Sequence, residues 1–169
     1  NHPITLKYYV ALITAYVTAK KLDLAIPTFE ESFEIMKARL GPGNKDALTC
    51  MYNMGKGYLE VRRLDKAVPL LEEMLQLAKA QTHPDFDLIG AGLNTLGSAY
   101  SSDGKLDKAV QMLEELLQLQ RSKFGADQDE TLSTMSTLAE SYELVQKPEL
   151  ALKISEELLK IKKAKLGPE

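Results

Sequence analysis

Residues 93–117 read LNTLGSAYSSDGKLDKAVQMLEELL. Leu93, Leu96 and Tyr100 fall on one side of a helix, because three- and four-residue steps return to the same face. The polar run Ser102-Asp103-Gly104-Lys105 breaks that pattern. A second apolar face follows in Ala109, Val110, Leu113, Leu116, Leu117 and Leu119, opposite Gln111, Glu114, Glu115 and Gln118. The stretch is therefore a helix, a turn and a second helix. It is also not alone. Tyr16, Tyr58, Tyr100 and Tyr142 are spaced by 42 residues, as are Ala25, Ala67, Ala109 and Ala151. Paired glutamates keep the same step: Glu30–Glu31, Glu72–Glu73, Glu114–Glu115 and Glu156–Glu157. Three markers at one period define a repeat array, and the 169 residues hold four units of 42 plus one.

The units run over about 1–43, 44–85, 86–127 and 128–169. Each is expected to be a helical hairpin, giving eight helices and no strands. Asp23, Asp65 and Asp107 open the second helices and are expected to be N-caps, since a carboxylate accepts the free amide hydrogens of a first turn. Pro148 suits the first turn of the last helix. Basic residues gather at the far ends (Lys37 and Arg39, Arg121 and Lys123, Lys160 through Lys165), where they complement the helix dipole. Gly41, Gly125 and Gly167 then stop the helices. Second helices of ~17 residues would be ~25 Å long. One hairpin cannot bury its own apolar face, so stability is expected to come largely from neighbouring units.

Composition excludes several classes. Hydrophobic content of 44% supplies a core and argues against disorder. The net charge of −3 and the lack of a basic stripe argue against nucleic-acid binding. The lone Cys50 excludes an internal disulfide, and with only His2 and His83 beside it no metal site is expected. No apolar run of about 18 residues or more is present, so no bilayer-spanning helix is expected. No signal peptide is visible, the chain opens at Asn1 rather than Met, and a cytoplasmic location is expected. Joining the final Lys165-Leu166-Gly167-Pro168-Glu169 to the opening Asn1-His2-Pro3-Ile4-Thr5-Leu6 would recreate a junction like Arg39-Leu40-Gly41-Pro42-Gly43-Asn44. The chain is accordingly expected to be a slice of a longer array.

Within each unit the spacing resembles the tetratricopeptide pattern W-x2-L-G-x2-Y…A-x3-F. The matching residues are Tyr9, Leu12, Ile13, Tyr16, Ala25 and Phe29 in the first unit, and Met51, Met54, Gly55, Tyr58, Ala67 and Leu71 in the second. The third gives Leu93, Leu96, Gly97, Tyr100, Ala109 and Leu113, and the fourth Met135, Leu138, Ala139, Tyr142, Ala151 and Ser155. The commonest unit has about 34 residues; this longer one, with HP-x-TL at its start and LGP at its end, resembles the kinesin-light-chain type. Tryptophan never fills its usual place, Ser155 replaces a large apolar residue, and Pro148 stands where Leu22, Leu64 and Leu106 stand in the other units. Unit four is therefore expected to pack more loosely. His83-Pro84 falls three residues earlier than the His2-Pro3 register predicts, so that junction is expected to be reshaped.

The resemblance implies an all-α fold, an α-α superhelical solenoid of four two-helix tetratricopeptide repeats. Its first helices would line a concave groove for an extended peptide or a partner helix. Carried over position by position, the ligand-groove residues are Lys7, Thr14, Tyr52, Asn53, Lys56, Asn94, Ser98, Ser101 and Glu140. Asn53 and Asn94 can both donate to and accept from a peptide backbone. Lys7 and Lys56 can pair with an acidic side chain, and Tyr52 offers an aromatic contact. The family's carboxylate clamp would need its Lys, Asn and Arg where this chain has Val10, Thr14, Asn53, Ala91 and Thr95. Only Asn53 matches, so no clamp for a chain-terminal acid is expected.

Other residues read as structural. The four tyrosines keep register with the alanines and are expected in the core, and Met51, Met54 and Met135 are expected as core filling. Cys50 has no histidine near it in sequence and is expected to be an inert, partly buried thiol. His2 and His83 each precede proline and are expected in turns. The glutamate pairs are expected on a solvated outer face, with helix-surface bridges such as Glu156 to Lys160. No phosphate loop, nucleophile–base pair or metal cluster is visible, so no enzyme activity and no cofactor are expected. The expected function is a protein-interaction scaffold for a peptide or protein partner, without nucleic-acid or membrane ligands. The alternatives are a regulatory or substrate-recruiting region of a larger kinase or protease, and an architectural array that self-associates through its terminal units.

Overall fold

Helices form where the apolar period demands them, and the turns fall on the polar breaks. In the computed structural model, which describes residues 16, 19 and 21–166, the elements are α1 (Leu22–Leu40), α2 (Lys45–Glu60), α3 (Leu64–Lys79), α4 (Phe86–Ser102), α5 (Leu106–Lys123), α6 (Asp129–Leu144) and α7 (Pro148–Leu166). Among the described residues these seven helices are joined by turns and no strand occurs. Tyr16 is helical, and the rest of the expected first helix lies outside the described residues. Pro27 and Pro69 lie inside α1 and α3 without ending them. The chain divides between Gly92 and Leu93, inside α4, into two compact units.

In the first unit α2 packs against both α1 and α3. Its buried side, Leu48, Met51, Met54 and Tyr58, meets Ala25, Phe29, Phe33 and Met36 from α1 and Ala67, Leu71 and Met74 from α3. Each leucine, methionine and phenylalanine among them contributes roughly 1.5–3 kcal/mol by leaving water. Gly55 is where α2 comes nearest α3: a Cβ there would lie 2.6 Å from the Leu71 Cδ2 atom. In the second unit α6 packs against α5 and α7. Val110, Leu113 and Leu117 from α5, Leu132, Met135, Leu138 and Tyr142 from α6, and Ala151 from α7 form one apolar cluster. Ile154, Leu158 and Ile161 of α7 close its far side.

The helix starts correct one expectation. Asp65 is the second residue of α3 and Asp107 the second of α5, as Asp23 is of α1, so none of them caps. The preceding cap residues, Lys21, Arg63 and Lys105, accept no side-chain cap bond because their side chains are cationic. Asp65 instead takes two 2.9 Å hydrogen bonds from the Arg63 guanidinium, while its charge favours the positive first turn. True side-chain caps occur on first helices: Asn44 Oδ1 accepts from the Asp46 amide at 2.9 Å, and Asp85 Oδ1 from the Leu88 amide at 3.2 Å. Pro148 does open α7, and Gly41 and Gly125 take the left-handed φ values of 82° and 103° that end α1 and α5. The reshaped junction is real: α3 stops at Lys79, three residues before the register of Leu40 in α1.

The turns inside the hairpins show a period the sequence hides. Arg62, Gly104 and Gln146, each 42 residues apart, have φ of 59°, 73° and 58°. Only glycine adopts that backbone without strain, yet two of the three positions carry side chains.

Candidate functional site

The facing sides of α4 and α6 carry several short hydroxyl side chains, Ser98, Ser101 and Ser102 on α4 and Thr137 and Ser141 on α6. Within the second unit these faces and the start of α5 enclose an open pocket of about 310 Å³. Asn94, Ser98 and Ser101 come from α4, Thr137, Ser141 and Leu144 from α6, and Leu106, Ala109 and Leu113 from α5. The hydroxyl protons have helical uses. Ser98 Oγ donates to the Asn94 carbonyl at 3.0 Å, Thr137 Oγ1 to that of Ser133 at 3.2 Å, and Ser141 Oγ to that of Thr137 at 2.7 Å. Each hydroxyl oxygen keeps acceptor capacity, and Asn94 is a primary amide that both donates and accepts. No side chain in this lining is charged. Its chemistry therefore suits holding a neutral segment by backbone amides and one aliphatic side chain, not proton transfer.

The structure thus brings together three of the nine expected groove residues, Asn94, Ser98 and Ser101. Glu140 is exposed on α6 but does not line the pocket. Tyr52, Asn53 and Lys56 lie on α2 in the first unit; Asn53 and Lys56 are exposed, and the Lys56 ammonium sits 5.6 Å from the centre of the half-buried Tyr52 ring. Lys7 and Thr14 lie outside the described residues. Sequence reasoning missed Leu106 and Ser141 in the pocket. The periodic Leu22, Leu64 and Leu106 was a signal for the first; nothing in the sequence marks the second.

The glutamate pairs need correction. The first member of a pair is not simply solvated. The Tyr58 hydroxyl donates to Glu30 Oε1, and the Tyr142 hydroxyl donates to Glu114 Oε1 at 2.6 Å. In both cases a first-helix tyrosine reaches the carboxylate 28 residues before it, on the second helix of the preceding hairpin. Lys66 Nζ also bonds Glu30, at 3.3 Å, and lies 5.2 Å from the centre of the Tyr58 ring. The Tyr58 hydroxyl, with help from Lys66, holds the Glu30 carboxyl below its ordinary range. Burial, with Glu114 behind it, pushes the Tyr142 phenol up to about 12. The Glu156–Lys160 bridge does not form; Arg121 pairs instead with Glu157 at 2.9 Å and Lys165 with Asp129 at 2.8 Å, each joining two helices.

The expected core tyrosines and methionines are where the spacing placed them. Tyr58, Tyr100 and Tyr142 are buried, as are Met51, Met54 and Met135. Cys50 is buried beside Ser32, with its sulfur 3.5 Å from that hydroxyl, and desolvation raises its thiol pKa, so it is poorly nucleophilic. Among the described residues no three His, Cys, Asp or Glu side chains are placed to share a metal ion, and no helix is long and apolar enough to cross a membrane.

Comparison with known proteins agrees with this architecture. The tetratricopeptide-repeat pattern matches residues 4–80 and 88–164, two stretches offset by two periods. The chain belongs to the tetratricopeptide-repeat family, whose domains are generally protein-interaction modules and typically non-catalytic. Its fold matches a crystal structure of nearly identical repeats from a putative kinesin light chain of Podosopora anserina, with a TM-score of 0.80, 23% identity, and 100% of this chain and 80% of that one covered. It also matches BtubC from P. vanneervenii (TM-score 0.80, 19% identity, 97% of this chain and 65% of that one) and the apo form of RapI (0.76, 14%, 95% and 57%). Among curated proteins none matches the chain.

Proposed function

We propose that the chain is a non-enzymatic interaction module that holds an extended peptide or partner helix on the outward faces of its first helices. The pocket between α4 and α6 anchors that ligand through an uncharged side chain. The observation that carries this reading is the gathering of Asn94, Ser98 and Ser101, chosen on sequence grounds, with Thr137 and Ser141 around an apolar floor. Hydroxyl acceptors and one amide fit the regularly spaced N–H groups of an extended backbone. The lack of charge in the lining disfavours acidic or basic anchors. On α2, Tyr52, Asn53 and Lys56 would supply a separate polar contact. Family membership supports an interaction role, and the absence of a long apolar helix among the described residues is consistent with a cytoplasmic setting.

The test is selection of peptides from a displayed library against the chain, followed by titration of the winners against variants. Ser141→Lys, which places a cation in the pocket, should weaken binding at least tenfold, and Asn94→Ala and Asn53→Ala by a few-fold each. Winners whose affinity ignores all three substitutions would overturn the reading.

A further inference from the structure

A repeat period shows what a hairpin needs at each position, so a residue that departs from it has another reason to be there. The mouth of the pocket between α4 and α6 holds two departures. Where α6 has Leu144 the earlier hairpins have Glu60 and Ser102, and where it has Glu140 they have Lys56 and Ser98. All four of those residues are exposed, so both registers stay open to water in hairpins that others follow. The packing of a hairpin therefore requires neither the leucine nor the glutamate.

Both departures sit where they are unfavourable in the free chain. Leu144 is 66% exposed, more than any other large apolar side chain among the described residues, and it lines the pocket with Leu106. Apolar area left in water on the rim of a polar cleft marks a contact surface. Glu140 lies one turn from Thr137 and one turn from Leu144, both of them pocket residues, so it stands beside the opening. It is exposed, and it has no hydrogen-bond or ion-pair partner among the described residues. α6 ends at Leu144 with no basic residue in its last turn, so no side chain of that turn offsets the negative end of the helix dipole. The lysines of the adjoining turns are spent on other acids, Lys105 on Asp103 at 2.6 Å and Lys147 on Asp107 at 3.3 Å. An apolar rim and a negative field thus meet at one opening.

Given the peptide-binding reading above, we infer that the occupant of this pocket is a peptide with an aliphatic side chain that covers Leu144 and a neighbouring lysine or arginine that pairs with Glu140. The two lie within about two residues of each other, because an extended chain advances ~3.3 Å per residue and one helical turn separates Glu140 from Leu144 by ~5.4 Å. The uncharged lining takes the aliphatic anchor, so charge selects the anchor's neighbour. The pair is exposed to water and acts on selectivity more than on affinity.

A displayed library of random linear peptides, selected against the 169-residue chain, tests this. The expected winners carry leucine, isoleucine, valine or methionine beside a lysine or arginine. Glu140→Lys should weaken them at least tenfold, and reselection on that variant should exchange the cation for aspartate or glutamate. Glu140→Gln should cost about threefold, a loss that disappears at high salt. Glu143→Gln, one turn beyond Glu140 and turned away from Ser141, should cost less than about twofold. Leu144→Ser, which copies Ser102, should cost about tenfold. Circular dichroism should be the same for all four variants, since each position is exposed. Winners that lack the cation, winners indifferent to Glu140→Lys, or a reselection that keeps the original charge would overturn the inference; if such winners still lose affinity to Ser141→Lys, the peptide-binding reading stands without it. Winners indifferent to Ser141→Lys, or a library that yields none, would overturn both.

Discussion

Tyr58 and Tyr142 hold the same place in their hairpins, and each gives its hydroxyl proton to a glutamate 28 residues earlier, but their settings differ. Beside Tyr58, Lys66 completes a triad with Glu30. Beside Tyr142 the matching residue is Leu150, so Glu114 meets the phenol without that cation. The same contrast recurs at Gly55 and Gly97, and at Arg62, Gly104 and Gln146. The period fixes where a backbone goes. What an atom meets there depends on residues the period leaves free. A repeat array is therefore an internal control, in which one substitution can be made twice against different neighbours.

The glycines give the largest contrast. A Cβ at Gly55 would lie 2.6 and 2.7 Å from Leu71 Cδ2 and Cγ, and Leu71 is fully buried, so it cannot yield. Gly55→Ala should destabilise by about 1–3 kcal/mol despite alanine's helix propensity. At Gly97 the nearest atom, Met112 Cβ, is 3.4 Å away, so Gly97→Ala should stabilise by about 0.5–1 kcal/mol. Urea midpoints of the two variants against the parent chain measure both, and equal shifts of one sign would erase the distinction.

The tyrosines come next. Tyr58→Phe and Tyr142→Phe should each cost about 1 kcal/mol, the net worth of a hydrogen bond to a charged group that keeps some water. Lys66→Ala should lower stability slightly and reduce the further loss from Tyr58→Phe. The replacement Leu150→Ala, at the matching position, should leave the effect of Tyr142→Phe unchanged. Double-mutant cycles by thermal melting read this difference.

How much of this was legible beforehand follows from what one dimension can hold. Periodicity locates helices, so the hairpins and the buried tyrosines and methionines followed from spacing, whereas Asn94, Ser98 and Ser101 came from the family resemblance. The glutamates were misread because two adjacent acids on a helix look alike in sequence. Only packing shows that Glu30 and Glu114 turn toward the next hairpin. The aspartates were placed two helix positions too early, at the cap, because Asp65 supports a helix start equally well as a cap or as a first-turn charge. Ser141 was missed because its neighbours Glu140 and Glu143 drew the assignment to a more exposed face.

Titration probes the carboxylate of one pair and the phenol of the other; burial and the glutamate partner raise the Tyr58 phenol as they do Tyr142. Glu30 has a folded pKa below its ordinary 4.5, so the stability it contributes is present above that value and is lost as pH falls through the folded pKa. Glu30→Gln should flatten the acid limb of a stability–pH curve. Tyr142 has a folded pKa raised from 10.0 to about 12, so its contribution is present below pH 10 and fades as pH climbs through that interval. Tyr142→Phe should lessen the alkaline loss. Melting temperatures taken across both limbs would expose a failure of either sign.

The smallest effects sit in the hairpin turns. Arg62→Gly and Gln146→Gly relieve a left-handed backbone and should stabilise by about 0.5 kcal/mol each, whereas Gly104→Ala, with open space around it, should destabilise by about 1 kcal/mol through backbone strain alone. Calorimetry of the three variants would show whether the turns are as equivalent as their angles.

The shortened end of α3 has a practical consequence. The Lys45–Asp85 ion pair at 2.9 Å and the Asp85 cap on α4 clamp the far side of that junction, while Thr82 and His83 stand out in solvent. Because the helix stops three residues early while the next one starts at about its usual place, the loop over residues 80–85 is longer than its counterparts and is a natural port for extra sequence. A fluorescent label or an epitope spliced between Thr82 and His83 would ride on the array without disturbing the hairpins on either side.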